Sequence, residues 1–214
     1  MKYKLIIFDM DGTILDTLDD LTDTVNYALG CSDLPLRTKQ DVRNFVGNGI
    51  RKLVERAVPK DCELSEVDKV FADFNEHYKE HCKDKTKPYE GIMDLFGCLY
   101  TKGIKTAVVS NKADYAVQDL CKKYFDNMFD AAVGQKDSVR KKPAPDSVNE
   151  VLEKLHIDRN DAVYVGDSEV DIETAKNAGI DAILVDWGFR GSEFLKEKGA
   201  ETIIFDPLEI LEYI

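Results

Sequence analysis

Two textures alternate along the chain. Six short apolar runs stand out: Leu5-Ile6-Ile7-Phe8, Lys105–Ser110, Ala131-Ala132-Val133, Ala162–Gly166, Asp181–Val185 and Thr202–Phe205. Unbroken apolar runs of this length predict strands buried on both faces. Helical spacing separates most of them, over residues 91–102, 112–124, 145–155 and 168–178. Strands alternating with helices predict βαβ units and a mainly parallel sheet. Gly103, Gly179 and Gly199 fall where those helices should stop. Between residues 17 and 84 the strand-like runs vanish and charge rises. Leu18, Leu21, Val25, Ala28 and Leu29 recur at helical spacing behind Thr17, with Asp20 placed to complete a capping box. Further helical patterns cover 38–46, 49–58 and 65–82. The prediction is an α/β, doubly wound, Rossmann-like sheet formed by 1–17 and 85–214, with 18–84 inserted as a helical module.

Composition narrows the partners. With 29 basic and 41 acidic residues the net charge is -12, which argues against a nucleic-acid binder. An anionic ligand would need a local positive site supplied by a metal, a lysine or helix N-termini. No stretch approaches the roughly 18 apolar residues of a membrane span. The apolar run after Met1-Lys2-Tyr3-Lys4 is too short for a signal peptide, so a cytoplasmic location without membrane attachment is expected. Cys31, Cys62, Cys82, Cys98 and Cys121 form no C-x-x-C pair and read as reduced thiols.

In a parallel sheet the residues following each strand gather at one edge. The first strand delivers Asp9 and Asp11, which an extended chain would project to one side. One could serve as nucleophile and the other as proton donor and acceptor. The next core strand delivers Ser110 and Asn111, suited to phosphate oxygens. Lys142, in Lys141-Lys142-Pro143-Ala144-Pro145, can meet a phosphate where prolines open a helix. The strand ending at Val165 delivers Asp167 and, a turn later, Asp171. Four carboxylates in one place call for a cation, and hard oxygen ligands favour Mg2+.

These stations, with D-x-D-G-T at residues 9–13, resemble in order and position the four motifs of the haloacid dehalogenase-like superfamily, and the resemblance spans the chain. It implies that Asp9 is the nucleophile and Asp11 the general acid/base. It further implies that Ser110 and Lys142 bind phosphate, and that Mg2+ is held by Asp9, the Asp11 main-chain carbonyl and Asp167, with Asp171 in support. The helical module corresponds to the superfamily's cap. Gly47, Asn48, Gly49 and Arg51, in Val46-Gly47-Asn48-Gly49-Ile50-Arg51, resemble the cap loop of the phosphoglycolate phosphatase-like subgroup. Trp187-Gly188-Phe189-Arg190 resembles that subgroup's loop after the last core strand. The implied activity is hydrolysis of a small soluble phosphomonoester, such as 2-phosphoglycolate, through an aspartyl-phosphate. A sugar-phosphate mutase similar to β-phosphoglucomutase shares both aspartates, and an inorganic pyrophosphatase or nucleotidase shares the motifs. A non-catalytic binding protein should have lost one of them, and none is lost. The residues do not specify oligomeric state.

One further pattern lies outside these motifs. His77-Tyr78-Lys79-Glu80-His81 fits H-x-x-E-H, an inverted zinc-protease pattern that places both histidines on one helix face. Its charged surroundings read as a solvated helix, and no third ligand for a catalytic zinc is evident.

Overall fold

The computed structural model describes residues 2–137 and 139–214. They divide into two units, one running to Leu15 and resuming over Pro88–Ile214, the other comprising Asp16–Lys87.

The first unit is built on β1 (Leu5–Phe8), whose four residues are fully buried. After β1 come β2 (Leu15–Asp16), β3 (Lys87–Pro88), β4 (Lys105–Ala113), β5 (Ala131–Gln135), β6 (Ala162–Gly166), β7 (Asp181–Val185) and β8 (Ile203–Ile204). Six of them form one parallel sheet in the order β5-β4-β1-β6-β7-β8. β2 and β3 pair separately, where the chain passes from one unit to the other and back. Counting only the six, the order is 3-2-1-4-5-6, so the direction in which successive strands are added reverses beside β1. Open α/β sheets bind ligands at the carboxyl ends of the strands at such a point.

The side chains of β1 explain why the run is apolar throughout. Ile6 and Phe8 pack on one face against Ile92, Leu95, Phe96 and Leu99 of α5 (Ile92–Thr101) and Val117 and Leu120 of α6 (Asp114–Tyr124). Leu5 and Ile7 pack on the other against Val148, Val151 and Leu152 of α7 (Asp146–Leu155) and Ala175 and Ala178 of α8 (Glu169–Ala178). Successive side chains point to opposite faces, so a sheet covered by helices on both sides has no polar register to offer.

The doubly wound sheet agrees with the sequence expectation, with differences at element ends. The helix expected from residue 112 starts at Asp114, because β4 continues through Lys112 and Ala113. The last strand shrinks to Ile203–Ile204. A short α9 (Ser192–Glu197) and 3-10 turns at Arg159–Asp161 and Pro207–Glu212 were not evident in the pattern. Gly179 closes α8 in the left-handed conformation, and Gly103 and Gly199 also have positive φ just after their helices.

The second unit contains α1 (Leu18–Gly30), α2 (Lys39–Phe45), α3 (Ile50–Ala57) and α4 (Leu64–His81). Leu18, Leu21, Val25, Ala28 and Leu29 make the buried stripe of α1, and Val67, Val70, Phe74 and Tyr78 that of α4. Thr38 and Asp41 cap α2 reciprocally. The capping box expected at Thr17 and Asp20 does not form: Thr17 caps nothing with its side chain. The Asp20 carboxylate instead accepts hydrogen bonds from the backbone N–H groups of Lys85 (2.9 Å) and Thr86 (2.9 Å). No helix among the described residues is long and apolar enough to cross a membrane.

Candidate active site

Asp9 follows β1 directly, and its backbone N–H donates to the Val165 carbonyl (2.8 Å), carrying the β1–β6 ladder one residue past the strand. This places its carboxylate at the edge where Gly166 hands over to Asp167. Asp9, Asp167 and Asp171 each bring a carboxylate oxygen within 4.8 Å of the others.

Lys142 sits among them with its side chain only 3% exposed. Its ammonium lies 2.8 Å from Asp171 Oδ1, 3.0 Å from Asp9 Oδ1 and 2.7 Å from the Tyr164 hydroxyl. All three N–H groups of the lysine therefore have acceptors. The Tyr164 hydroxyl in turn donates a hydrogen bond to the Val109 carbonyl (2.8 Å), tying the lysine to the buried centre of the sheet. Burial works against the ammonium's charge, but Asp171 and Asp9 outweigh it and hold its pKa well above the usual lysine value.

The carboxylates feel the opposite balance. Burial, followed by the neighbouring Asp171 and Asp9 charges, pushes Asp167 well above the usual carboxylate range. Asp9 is pushed up to about 6, chiefly by burial, with Asp171 and Asp11 adding to the rise and Lys142 opposing it. Two acids raised first by burial and then by neighbouring carboxylates sit in a cluster short of positive charge.

The three acids are not equivalent. Asp171 Oδ2 accepts from the Ser168 hydroxyl (2.6 Å) and from the backbone N–H groups of Ser168 (3.1 Å) and Asp167 (3.2 Å), while Oδ1 holds Lys142. Both of its oxygens are spent on organising the loop. Asp9 Oδ1 accepts from the Met10 N–H (2.7 Å) as well as from Lys142. Asp167 Oδ2 accepts from the Phe189 N–H (2.6 Å). Among the described residues, Asp9 Oδ2 and Asp167 Oδ1 have no protein hydrogen bond. Two hard carboxylate oxygens in a charge-deficient cluster suit a divalent cation of the Mg2+ type.

Glycines make room for this packing. A Cβ on Gly188 would lie 2.3 Å from Asp167 Cβ and 2.5 Å from the Gly12 carbonyl. One on Gly12, whose φ is +82°, would lie 2.4 Å from Asp167 Oδ2. The Trp187-Gly188-Phe189-Arg190 loop thus serves as the wall that positions Asp167. Trp187 Nε1 donates to the Thr13 carbonyl (3.0 Å), and Arg190 pairs with Glu169 (3.2 Å).

Asp11 turns elsewhere. Its carboxylate is held by Lys112 Nζ at 2.9 and 3.3 Å, and that lysine's side chain is 2% exposed. Lys112 is absent from the sequence-based site, which ended the strand at Ser110, whereas β4 continues to Ala113. The β4–β5 register shifts between Val109 and Ala113, and Ser110, Asn111 and Lys112 are all buried across that irregular stretch. Ser110 is buried, and its Oγ accepts from the Lys112 N–H (3.4 Å). The Asn111 amide donates to the Lys142 carbonyl (3.1 Å) and so steadies that loop. The first unit brings together Asp9, Asp11, Ser110, Asn111, Lys142, Asp167 and Asp171.

The four remaining sequence candidates lie in the second unit between α2 and the first turn of α3. Gly47 and Gly49 have φ of +119° and +84°, which glycine adopts without steric cost. Asn48 accepts from Arg56 (2.7 Å), and Arg51 pairs with Glu55 (3.0 Å) and Asp68 (2.5 Å).

An acid-rich edge at the β1 reversal point, with Lys142 buried against the first aspartate, has the charge pattern that suits an anionic group together with a cation. The profile of the haloacid dehalogenase-like hydrolases matches residues 6–185. A phosphoglycolate phosphatase of Mesorhizobium japonicum is 33% identical over 98% of this chain and 95% of its own. A protein of Caldanaerobacter subterraneus, provisionally named a pyrophosphatase, is 32% identical over 100% of this chain and 96% of its own. A crystal structure from Lactobacillus delbrueckii, provisionally described as a phosphoglycolate phosphatase, superposes with a TM-score of 0.93 at 42% identity, covering 100% of this chain and 99% of that one. The chain belongs to the haloacid dehalogenase-like hydrolase family. Within it, this chain is an enzyme of the phosphatase class, similar to the phosphoglycolate phosphatases.

Proposed function

We propose that the protein is a Mg2+-dependent phosphomonoester hydrolase working through a phosphoaspartyl intermediate on Asp9, and that its substrate is a small soluble phosphate ester, with 2-phosphoglycolate the first candidate. The observation that carries this reading is Lys142, buried and held between Asp9 and Asp171 at the β1–β6 reversal point, with Asp167 alongside. The choice of 2-phosphoglycolate rests on the relatives' names alone. The pyrophosphatase relative makes pyrophosphate the second substrate to test.

In this mechanism Asp9 attacks phosphorus, forming a carboxylate–phosphorus bond as the phosphorus–oxygen bond to the leaving alcohol breaks. Asp11 gives that alcohol its proton. Water then attacks the phosphoryl group, Asp11 takes the water's proton, and inorganic phosphate leaves with Asp9 restored. Lys112 keeps the Asp11 carboxylate in one orientation through both proton transfers. Lys142, with Ser110, meets the charge of the phosphoryl oxygens, and Asp171 with Tyr164 fixes where that ammonium points. Mg2+, held by the Asp9 and Asp167 carboxylates and the Asp11 carbonyl, would supply the positive charge that lets an anionic phosphate approach an anionic nucleophile. The helical unit acts as the cap, with Gly47, Asn48, Gly49 and Arg51 in its specificity loop.

The test is phosphate release from 2-phosphoglycolate, sugar phosphates, nucleoside monophosphates and pyrophosphate, with Mg2+ and with EDTA. Release that needs the metal and is lost in Asp9→Asn is expected. Turnover in Asp9→Asn, or isomer interconversion without phosphate release, overturns the proposal; the latter result identifies a mutase.

A further inference from the structure

Residues 46–49 of the helical unit join α2 to α3, and two of the four are glycines. Gly47 and Gly49 both have positive φ, so the stretch gains little stiffness from its own backbone. Gly49 also starts α3 without a side-chain cap. A loop that is to present one geometry to a ligand must then be held from outside. Arg56, in the last turn of α3, does this at two points. Its Nη1 donates to the Phe45 carbonyl (2.7 Å) at the end of α2, and its Nη2 donates to Asn48 Oδ1 (2.7 Å). The two acceptors lie on either side of Gly47.

This contact also fixes the Asn48 amide. A guanidinium has donors and no acceptor, so only the amide oxygen can face it. The donor end of the amide is thereby turned away from Arg56, the polarity that suits a carboxylate or phosphoryl oxygen. The guanidinium brings its charge to the loop, because among the described residues no carboxylate forms an ion pair with Arg56. Arg51, which the sequence pattern picks out, is committed differently. It pairs with Glu55 (3.0 Å) and Asp68 and lies 5.4 Å from the Phe71 ring, joining α3 to α4.

We propose that Arg56 is a positioning residue: through Phe45 and Asn48 it holds residues 46–49 in the one conformation that selects an anionic ester. The inference rests on the reading of the helical unit as the cap of a phosphatase, and goes beyond it in naming the residue that shapes the cap's specificity loop. Arg56 acts on substrate only through that loop. Its planar fork serves two separate acceptors, which the point charge of a lysine cannot match. Removing it should leave the chemistry at Asp9 and Asp11 intact and weaken the binding of substrate and transition state alike.

Steady-state kinetics on 2-phosphoglycolate and pyrophosphate, beside amide NMR of the full chain, test this. For each compound that wild type hydrolyses, Arg56→Met should raise KM roughly tenfold, the effect of losing a charge-assisted hydrogen bond, and change kcat less than about twofold. Arg56→Lys should recover only part of the loss. Asn48→Ala should raise KM as well, and combining it with Arg56→Met should add little, since both remove one contact. The heteronuclear NOEs of Gly47 and Gly49 should fall in Arg56→Met, with far-UV circular dichroism unchanged. An unchanged KM overturns the proposal, as do full recovery by lysine, effects of the two substitutions that simply multiply, and NOEs that stay at wild-type values. Wild type hydrolysing neither compound, with the NOEs still falling in Arg56→Met, would keep the hold on the loop and overturn its role in selecting these esters.

Discussion

Replacing Asp9 with Asn should destroy activity and at the same time make the metal-free protein more stable. Burial and two neighbouring acids raise Asp9 from 3.8 to about 6. The folded state therefore holds a proton more tightly than the unfolded chain does. As pH rises from about 4 through 6, the unfolded state gives up this proton first, and stability falls. Above pH 6.5 the accumulated cost is the full shift of about two pKa units, or about 3 kcal/mol. Near pH 5 it is about half that. Asn has no such proton to lose. In EDTA at pH 7.5, Asp9→Asn should gain up to about 3 kcal/mol, an upper value because Lys142 surrenders one of its two carboxylate partners. For a chain of this length that is a rise in Tm of roughly 5–10 °C. The gain should shrink by half at pH 5 and nearly vanish at pH 4. Urea unfolding at the three pH values in EDTA measures it, beside a phosphate-release assay in Mg2+ that should fall at least about a thousandfold. A mutant no more stable than wild type at pH 7.5, or a gain independent of pH, would refute the claim that this aspartate is held ionised against its surroundings.

Three other substitutions probe the same edge. Lys142→Ala strips the ammonium from Asp9 and Asp171 together; kcat/KM should drop by about 100-fold or more, and the metal-free protein should lose about 3 kcal/mol, read by urea unfolding. Lys112→Met removes the cation holding Asp11, so kcat should fall while KM for the phosphate ester changes little; an equal change in both would show that Lys112 binds substrate. Gly188→Ala places a methyl group against Asp167 and the Gly12 backbone, and should cost about 1–3 kcal/mol in unfolding experiments and raise the Mg2+ concentration needed for half activity.

Residues at strand ends could be read from the chain, and residues whose partners lie far away could not. Asp9 and Asp167 each end an apolar run, and a buried parallel strand has one place to put an acid, its carboxyl edge. Lys142 could be read only because prolines marked its loop. Lys141 beside it is exposed, and nothing local separates the two. Lys112 was hidden by the boundary between β4 and α6: a lysine assigned to a helix's first turn looks solvated, whereas the strand's irregular extension buries it against Asp11. Tyr164 looked like filler in a buried strand because its hydroxyl serves a lysine 22 residues away. Asp20 looked like a cap for its own helix because its true partners come 65 and 66 residues later. Periodicity reports which way a side chain faces and says nothing of which distant group will face it.

The threefold hold on Lys142 also bears on how the reaction ends. Before any phosphate arrives, that ammonium is already satisfied by Asp171, Asp9 and Tyr164. In the proposed mechanism a phosphoryl group would gain its contact with the lysine only by taking a share of those bonds. With hydrolysis complete, the carboxylates would reclaim them. The protein thus carries its own competitor for the product, at fixed position and high effective concentration. On this mechanism free phosphate would be held more weakly than by a bare buried lysine, which would favour its departure and clear Asp9 for the next turnover.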